Sequence, residues 1–515
     1  MRHPAIATYC LASLLCGAAY GSGHQHPGCD AVDARQCVAL AIRAMGGEAA
    51  LRAIANEQLD SIEHRLLTEQ SYRQAPFITA YGRTATSIDF ERGRVLWIQK
   101  SVWPQSDPGV GSAESETTIA ANDHSAVVKS AKADTPAGLA QIDEARVTLE
   151  LGPERLLLMA QADPGLHFEA PEMLRSTSHS VVAFSWRGRQ VKVLINAFNH
   201  LPDAFESVRT FNDFWFAWGD VRQRVYYDNW KLIAGVVYPT NRVEERNNTL
   251  WNSVQILDVQ VNHAPDDKEI AMEATAAATS EQSKGWNRPF SEASHVELAP
   301  GVDLYQGSWN VTFVTQDDGL LVIEAPISPG FTQDVLARAR ADRPNTPIKA
   351  ILSTSDSWPH LAGVREAVAE EIPVYILDLN QPLIDQMLKA PHTLSPDRLQ
   401  TLPRRPKWHV VAGPTTIGTG SNRMELYPLR GAATERQYMI YFPQHKLLYA
   451  SDTLVLDADT HQLYDPELMY EVMQAAEREH LDVATVYAMH NGPVKWNEIR
   501  RLIDAELSSG PGAHS

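Results

Sequence analysis

The sequence predicts an α+β protein of two domains, and three observations support this prediction. The chain has 515 residues, more than the roughly 150 of a typical domain, so we expect two large domains or about three smaller ones. Strand-like segments dominate the first half, whereas strands alternate with helices in the second half. Between the halves, residues 266–291 are polar and rich in Ala, Ser and Thr, which is typical of a linker.

Composition and charge exclude several classes of partner. With 44% hydrophobic and 21% charged residues, the chain has the composition of an ordinary globular protein. Its net charge of -18 argues against nucleic acid or an anionic membrane as the main partner. Beyond the N-terminus there is no apolar run of about 18 residues, so we expect no stable membrane insertion. The sequence leaves the oligomeric state open.

The first residues have the pattern of a targeting segment. Arg2 and His3 precede an apolar stretch from Ala5 to Ala19, whose last residues are small and suit cleavage by a signal peptidase. We therefore predict a signal peptide over residues 1–22 and a periplasmic or secreted protein. Leu15 stands where a lipidated Cys16 would need a small residue, which argues against a lipid anchor.

Two cysteines remain after the predicted cleavage site. Cys29 and Cys37 are separated by a short segment near the new N-terminus. In an oxidising compartment such a pair favours a disulfide, with two free thiols as the alternative.

Residues 24–265 are predicted to form a curved antiparallel sheet or open β-barrel with a few helices. We predict helices at Ala31–Met45 and Pro153–Ala162, and a long surface excursion from Ser101 to Gly138. The predicted strands include 181–186, 190–196, 214–218, 221–227, 232–238 and 253–261. The aromatic residues from Phe211 to Trp218 suit a core or a ligand cavity, and a core is favoured.

This first half resembles the periplasmic lipoprotein-carrier superfamily. The resemblance depends on Ala44-Met45-Gly46-Gly47, on Gly219-Asp220, and on Tyr227-Asp228 followed by Tyr238-Pro239. It implies a half-open β-barrel closed by helices around an apolar cavity that takes acyl chains. A lipophilic ligand is therefore one expectation for this region.

Residues 292–510 are predicted to form a layered domain of sheets and helices. Strands are expected at Leu320–Glu324, Ile348–Ser353 and Val374–Leu377, with helices at Thr332–Arg340 and Pro466–His480.

This second half resembles the metallo-β-lactamase superfamily. The supporting motifs are Asp318–Glu324, Leu352–Gly363, Tyr441–Asp452 and Met489-His490-Asn491-Gly492. The resemblance implies an αββα sandwich and hydrolysis of esters, thioesters or lactams. The family's site uses a His-x-His-x-Asp-His motif after a strand, a further His, a bridging Asp and a last His, which hold zinc or iron.

Four of the seven ligand positions implied by the resemblance have lost their ligands. Ser355 and Ser357 replace both histidines of His-x-His, Pro359 replaces the aspartate, and Ala433 stands where the third histidine is expected. Because the first metal of the family depends on those histidines, we predict that its site is lost.

Three ligands of the second metal remain, namely His360, Asp452 and His490. Two histidines and one carboxylate can hold a single Zn, Fe or Mn ion, and Asp356 could turn in as an auxiliary ligand. The alternative is that no metal binds and these residues are hydrogen-bonded structural groups. Ser355 or Ser357 acting as a nucleophile with His360 as base is supported by spacing alone.

Two hypotheses for function follow. The first is an exported hydrolase-like protein with a reduced metal site and an ester, thioester or lipophilic small-molecule substrate. The second is a catalytically inactive pseudo-hydrolase that binds a lipid or other ligand in the cell envelope.

Overall fold

The computed structural model describes residues 26–69, 77–102, 114–291, 294–307, 309–418, 420–457 and 460–509. The predicted signal peptide, residues 1–22, lies outside these described residues. Within the described ranges, every helix is too short or too polar to cross a bilayer.

The first half contains one large antiparallel sheet, and the chain class is α+β as predicted. The strand order is β6-β5-β4-β3-β2-β1-β13-β12-β11-β10-β9-β8-β7, so the first and last long strands pair at the centre of an open sheet. The strands are β1 Asn56–Leu66, β2 Thr79–Asp89, β3 Arg94–Val102, β4 Glu114–Asn122, β5 Ala126–Val128, β6 Thr135–Pro136, β7 His167–Leu174, β8 Thr177–Trp186, β9 Arg189–Asn196, β10 Pro202–Arg209, β11 Val221–Ile233, β12 Val236–Arg246 and β13 Thr249–Val261.

The helices of the first half pack on this sheet: α1 Ala34–Ala44, α2 Glu48–Arg52, α3 Leu139–Leu151 and α4 Pro153–Ala162. The α1 helix begins at a capping box in which Asp33 accepts from the Gln36 backbone N–H. A disulfide joins Cys29 to Cys37 and attaches the leading segment to α1, where both cysteines are buried. Apolar side chains of α1 and α4 share one buried cluster with the strands β8, β9 and β11.

Three local predictions in this half are wrong. Residues 232–238, predicted as one strand, span the turn between β11 and β12, where Ala234 and Gly235 have φ values of 49° and 85°. Residues 214–218 form a 3-10 helix, Phe214–Trp218, because the Asp213 carboxylate caps the turn by accepting from the Trp215 N–H at 2.8 Å. Part of the predicted surface excursion, Ser101–Gly138, is sheet, since it contains β4, β5 and β6. The sequence of β4 is largely polar and lacks the apolar alternation that predicts a strand, although β4 pairs along its whole length with β3.

The segment predicted as a linker contains two helices, α5 Asp267–Ile270 and α6 Ala274–Glu281. Ile270 and Ala276 are buried in a small cluster with side chains of β3, β4 and β5. The Ser280 hydroxyl donates to the carbonyl of Ala137 at 2.8 Å and accepts from the Ala126 N–H at 3.0 Å. This part of the segment is therefore held against the large sheet.

The second half contains two smaller mixed sheets. The seven-stranded sheet consists, in order, of β14 Ser294–Ala299, β15 Val302–Gln306, β16 Val311–Gln316, β17 Gly319–Ile323, β18 Ile348–Leu352, β19 Val374–Leu377 and β20 Trp408–Val411. The six-stranded sheet consists of β21 Thr415–Ile417, β22 Met424–Pro428, β23 Tyr438–Phe442, β24 Leu447–Tyr449, β25 Thr485–Tyr487 and β26 Val494–Lys495. The strands β17 to β20 are parallel, as are β24 and β25.

The helices of this half cover the outer faces of the two sheets. They are α7 Pro329–Asp342, α8 Trp358–Leu361, α9 Val364–Ala369, α10 Gln381–Lys389, α11 Arg398–Thr401, α12 Pro466–Arg478 and α13 Trp496–Ser509. Short 3-10 turns lie at Asp378–Asn380, Gly420–Asn422 and Pro443–His445. One apolar cluster fills the space between the sheets, α7, α9 and α10 pack outside the first sheet, and α12 and α13 pack outside the second.

The two halves share a buried contact. Phe211, Trp215 and Val221 of the first half belong to the same apolar cluster as α7 to α10 of the second. The Asp220 carboxylate accepts from the N–H of Thr393 at 2.8 Å. Gly219 has φ 62°, and a Cβ there would lie 2.4 Å from the Pro391 carbonyl oxygen, so this contact requires glycine.

Candidate metal centre

The three predicted ligands lie in segments that follow strands. His360 follows β18, Asp452 follows β24, and His490 follows β25. Because β24 and β25 are parallel neighbours, their loops leave the sheet at the same edge and bring Asp452 and His490 together.

His360 lies on the short helix α8, which Pro359 helps to begin. Proline suits the first turn of a helix, where its missing N–H would have no partner within the helix. Pro359 therefore suits the local backbone that presents His360.

The ligand atoms of His360, Asp452 and His490 all lie within 4.8 Å of one another. The Nε2 atom of His360 is 3.4 Å from Asp452 Oδ2, and the Nε2 atom of His490 is 3.3 Å from Asp452 Oδ1. Donors that bind one tetrahedral metal at about 2.1 Å lie about 3.4 Å apart. The two imidazoles face different oxygens of Asp452, so an ion held by both imidazoles and one carboxylate oxygen would have at least one donor separation longer than these, within the 4.8 Å limit of the group.

The protonation states of His360 and Asp452 suit metal ligands. Burial lowers the pKa of His360 to about 4, so its imidazole is neutral at pH 7. Burial by itself would raise the pKa of Asp452, but the two histidines outweigh it and lower that pKa. The buried Nδ1 atom of His360 has no hydrogen-bond partner among the described residues. Neutral imidazole and ionised carboxylate are the forms that bind metal.

The positions where the sequence predicted lost ligands lie beside Asp452 and His490, but their side chains are not metal ligands. Ser355, Ser357 and Ala433 line the cavity beside Asp452 and His490. The Ser355 hydroxyl accepts from the Ser357 N–H at 3.2 Å, and the Ala433 N–H donates to the Glu471 carboxylate at 3.1 Å. The Ser355 hydroxyl is thus engaged within its own loop and the Ala433 backbone with α12, whereas the buried Ser357 hydroxyl has no hydrogen-bond partner among the described residues.

Asp356, the predicted auxiliary ligand, also lines this cavity. Its Oδ2 atom is 3.7 Å from the Nε atom of Arg436, whose Nη1 donates to the Leu379 carbonyl at 2.8 Å. Among the described residues, the converging group consists of His360, Asp452 and His490 without Asp356.

Asp465 is a site residue that the sequence did not reveal. It lines the same cavity of about 340 Å³, and its buried Oδ1 atom has no hydrogen-bond partner among the described residues. Burial, together with the charges of Asp452 and Glu467, raises its pKa to about 6. The pattern Asp465-Pro466 indicates the cap of a helix, yet the side chain makes no capping hydrogen bond.

A buried network supports the two loops that carry His360 and Asp452. The hydroxyls of Thr354 and Tyr449 both donate to the Glu324 carboxylate, the latter at 3.1 Å. Thr354 Oγ1 also lies 2.7 Å from Ser451 Oγ, beside Asp452. Burial raises the pKa of Glu324 to about 8.

Aromatic side chains from both halves pack behind the histidines. The ring of Trp358, two residues before His360, meets Trp215 at 4.8 Å and Trp218 at 5.2 Å between centroids. The Trp309 ring lies 5.5 Å from His490. The first half of the chain therefore contacts the helix that presents His360.

No protein-family profile matches the chain, and no curated protein matches it. Among solved structures, the chain is similar to the DIM-1 metallo-β-lactamase at 14% identity and a TM-score of 0.33, over 42% of this chain and 99% of that one. It is similar to a metallo-β-lactamase from Pontibacter korlensis at 17% identity and a TM-score of 0.32, over 41% and 98%.

A third similarity is to the stereoselective inverting sec-alkylsulfatase Pisa1 from Pseudomonas sp., at 16% identity and a TM-score of 0.31. The match covers 42% of this chain and only 40% of the alkylsulfatase. Likenesses at these scores support no conclusion about activity.

Proposed function

We propose that residues 292–510 form a metallo-β-lactamase-type αββα hydrolase domain whose metal site is reduced to one divalent ion. The ligands are His360, Asp452 and His490, and their convergence is the observation that supports the proposal. Two imidazoles and a carboxylate suit Zn, Fe or Mn, and the lost histidines leave the family's first metal site without its histidine ligands.

A divalent ion at a site with an open position supplies a water of lowered pKa that can attack an ester or thioester. The protein residues then have separate roles. Asp452 lies between the two imidazoles, and the unpartnered Oδ1 of Asp465 can accept a proton within the same cavity. Val455, Tyr464 and Leu468 give this cavity a partly apolar wall, which suits the lipophilic portion of a small substrate.

The second candidate is a pseudo-hydrolase that binds a ligand in the envelope without catalysis. The observation favouring it is the state of the replaced positions, since Ser355, Ser357, Pro359 and Ala433 offer no ligands of the family's kind. On this alternative, Asp452 links the two histidines as a structural ion-pair group.

Export to the periplasm or outside the cell is part of the same proposal. The predicted signal peptide supports it, and so does the Cys29–Cys37 disulfide, because disulfides persist mainly in oxidising compartments.

Metal analysis separates the two candidates. The mature full-length protein would be produced with added Zn, Mn or Fe, dialysed, and analysed by inductively coupled plasma mass spectrometry. The metallo-hydrolase proposal expects close to one equivalent of one metal, with hydrolysis of p-nitrophenyl acetate or a phenyl thioester that EDTA abolishes. Less than about a tenth of an equivalent in all three preparations would reject it in favour of the pseudo-hydrolase.

A further inference from the structure

A second cavity of about 360 Å³ lies on the large sheet of the first half, beneath α3 and α4. Part of its wall is apolar, with Leu59, Phe205 and Ile256 among its members. The rest is polar and includes five carboxylates and four guanidiniums: Glu63, Glu144, Glu154, Asp213, Glu244, Arg65, Arg209, Arg242 and Arg246. The charged part is an unfavourable surface for a long acyl chain, because charged groups buried against hydrocarbon lose hydration without gaining partners, so a hydrocarbon body in this cavity must be short enough to lie against the apolar part.

Two of the four arginines of this wall are neutralised within the protein. Arg246 pairs with Glu244 at 2.7 Å and with Asp213 at 3.1 Å. The Nη2 atom of Arg209 lies 3.5 Å from Asp143. Arg65 lies over the Trp251 ring at 5.9 Å, and Arg242 donates to the Tyr238 hydroxyl at 2.9 Å.

The carboxylates of the wall are less well satisfied. Glu63, Glu144 and Glu154 make no ion pair closer than 4.0 Å with any described residue, whereas Asp213 and Glu244 are paired with Arg246. Glu144 is exposed by its residue surface, and desolvation where its carboxyl lines the cavity, with the charge of Glu244, raises its pKa to about 7. Three carboxylates of the wall thus lack a close ion pair, against two guanidiniums, Arg65 and Arg242. The charges of Arg242 and the nearby Arg155 only partly offset the burial of Glu154, whose pKa stays raised.

Among these carboxylates, Glu154 is the one that is both buried and without a hydrogen-bond partner in another described residue on either oxygen. Its residue surface is only 1% accessible, and neither carboxylate oxygen accepts a hydrogen bond from another described residue. Glu57 is also fully buried, and its Oε1 atom has no hydrogen-bond partner among the described residues. Its negative charge opposes ionisation of Glu154, but burial is the main reason that the pKa of each carboxyl is raised. A buried charged group without a hydrogen-bond partner destabilises the folded state, and a bound ligand of opposite charge would offset that cost.

From this arrangement we propose that the cavity binds a small organic cation with a short apolar body, such as an alkylammonium ion. The ammonium group pairs with Glu154, and the chain lies against the apolar wall around Leu59, Phe205 and Ile256. This site is separate from the candidate metal centre.

Three probes of equal chain length test the proposal: n-octylammonium, octanoate and octan-1-ol. Each is titrated calorimetrically into the full-length protein with EDTA present, so that a metal at His360, Asp452 and His490 does not contribute. We expect n-octylammonium to bind more tightly than the other two. The Glu154→Gln variant should lose about tenfold or more in affinity for it, while Glu154→Asp, which keeps the charge, retains most of the binding.

Glu281→Gln, at an exposed carboxylate on α6 outside the cavity, is the matched control and should bind as the unmodified protein does. Because Glu154→Gln removes an unpaired buried charge, thermal unfolding should show that this variant is folded. Absence of n-octylammonium binding, equal or tighter binding of octanoate, or unchanged affinity in Glu154→Gln would each overturn the proposal.

Discussion

The two cavities described above are nearly equal in size, but the pKa of a buried carboxylate is shifted in opposite directions in them. In the second half, Asp452 lies between two imidazoles, and their effect lowers its pKa although the side chain is largely buried. In the first half, the charges of Arg242 and Arg155 lower the pKa of Glu154, but burial outweighs them and the pKa is raised. The contrast shows that the neighbours of a carboxylate, and not burial alone, decide whether it stays charged and able to bind a metal.

The largest expected effect is the loss of metal affinity when Asp452, the carboxylate between the two imidazoles, is replaced. Asp452→Asn should lower metal affinity by about 100-fold or more, because an amide is a poor replacement for an anionic ligand. Competition with a chromophoric chelator measures that affinity. Asp356→Asn is the matched control in the same cavity and should change it by no more than about threefold. An equally large loss in both variants would make Asp356 a ligand.

The contact between the two halves should make the stability of the protein sensitive to acid, because it contains the buried His392. Burial lowers the pKa of His392, which packs against Gly219, to about 4. The unfolded chain binds a proton near pH 6.5, so this histidine's stabilising contribution is present above pH 6.5 and is lost as the pH falls toward 4. Between about pH 6.5 and pH 5 the unmodified protein should lose about 1.5 kcal/mol more stability than His392→Gln. Urea unfolding at both pH values measures this, and parallel losses would contradict it.

The aromatic contact between the halves should influence the metal site. Trp218→Leu removes one of the two rings that pack against Trp358, so His360 should be held less firmly. Metal affinity should fall by about tenfold, or roughly 1.4 kcal/mol. Trp230→Leu, in the same half but packed against Tyr227, should leave the affinity unchanged. Equal effects of the two substitutions would indicate a general loss of stability.

The smallest expected effect is a gain. Glu154→Gln should stabilise the protein by about 1 kcal/mol at pH 7, because it removes a buried charge that has no partner. Folding raises the pKa of Glu154, so the folded protein holds the proton of this carboxyl more tightly than the unfolded chain does. The resulting contribution to stability is present at low pH and is lost as the pH rises and the carboxyl ionises. The gain should therefore be larger at about pH 8 than at about pH 5. Thermal unfolding at both pH values tests the direction, and a loss of stability would contradict it.

Sequence patterns predicted much of the fold but missed residues whose role depends on distant partners. The strand β4 was missed because its polar residues give no apolar alternation, although β3 supplies its hydrogen-bonding partner. Phe214–Trp218 has a strand-like composition, yet a cap from Asp213 and packing against Trp358 favour a 3-10 helix. Asp465 had the pattern of a helix cap, and only the folded chain places its carboxylate in the cavity.

By itself, the sequence determined the α+β class, the change of texture between the halves, and the candidate ligands His360, Asp452 and His490. These features depend on local periodicity and on residue identity, both of which a linear chain displays. The tertiary structure alone decided that the three ligand atoms lie within 4.8 Å, that Asp356 faces Arg436, and that Glu154 has no hydrogen-bond partner among the described residues. Distances between side chains on different strands, and the burial that shifts their pKa values, arise only when the sheets pack together.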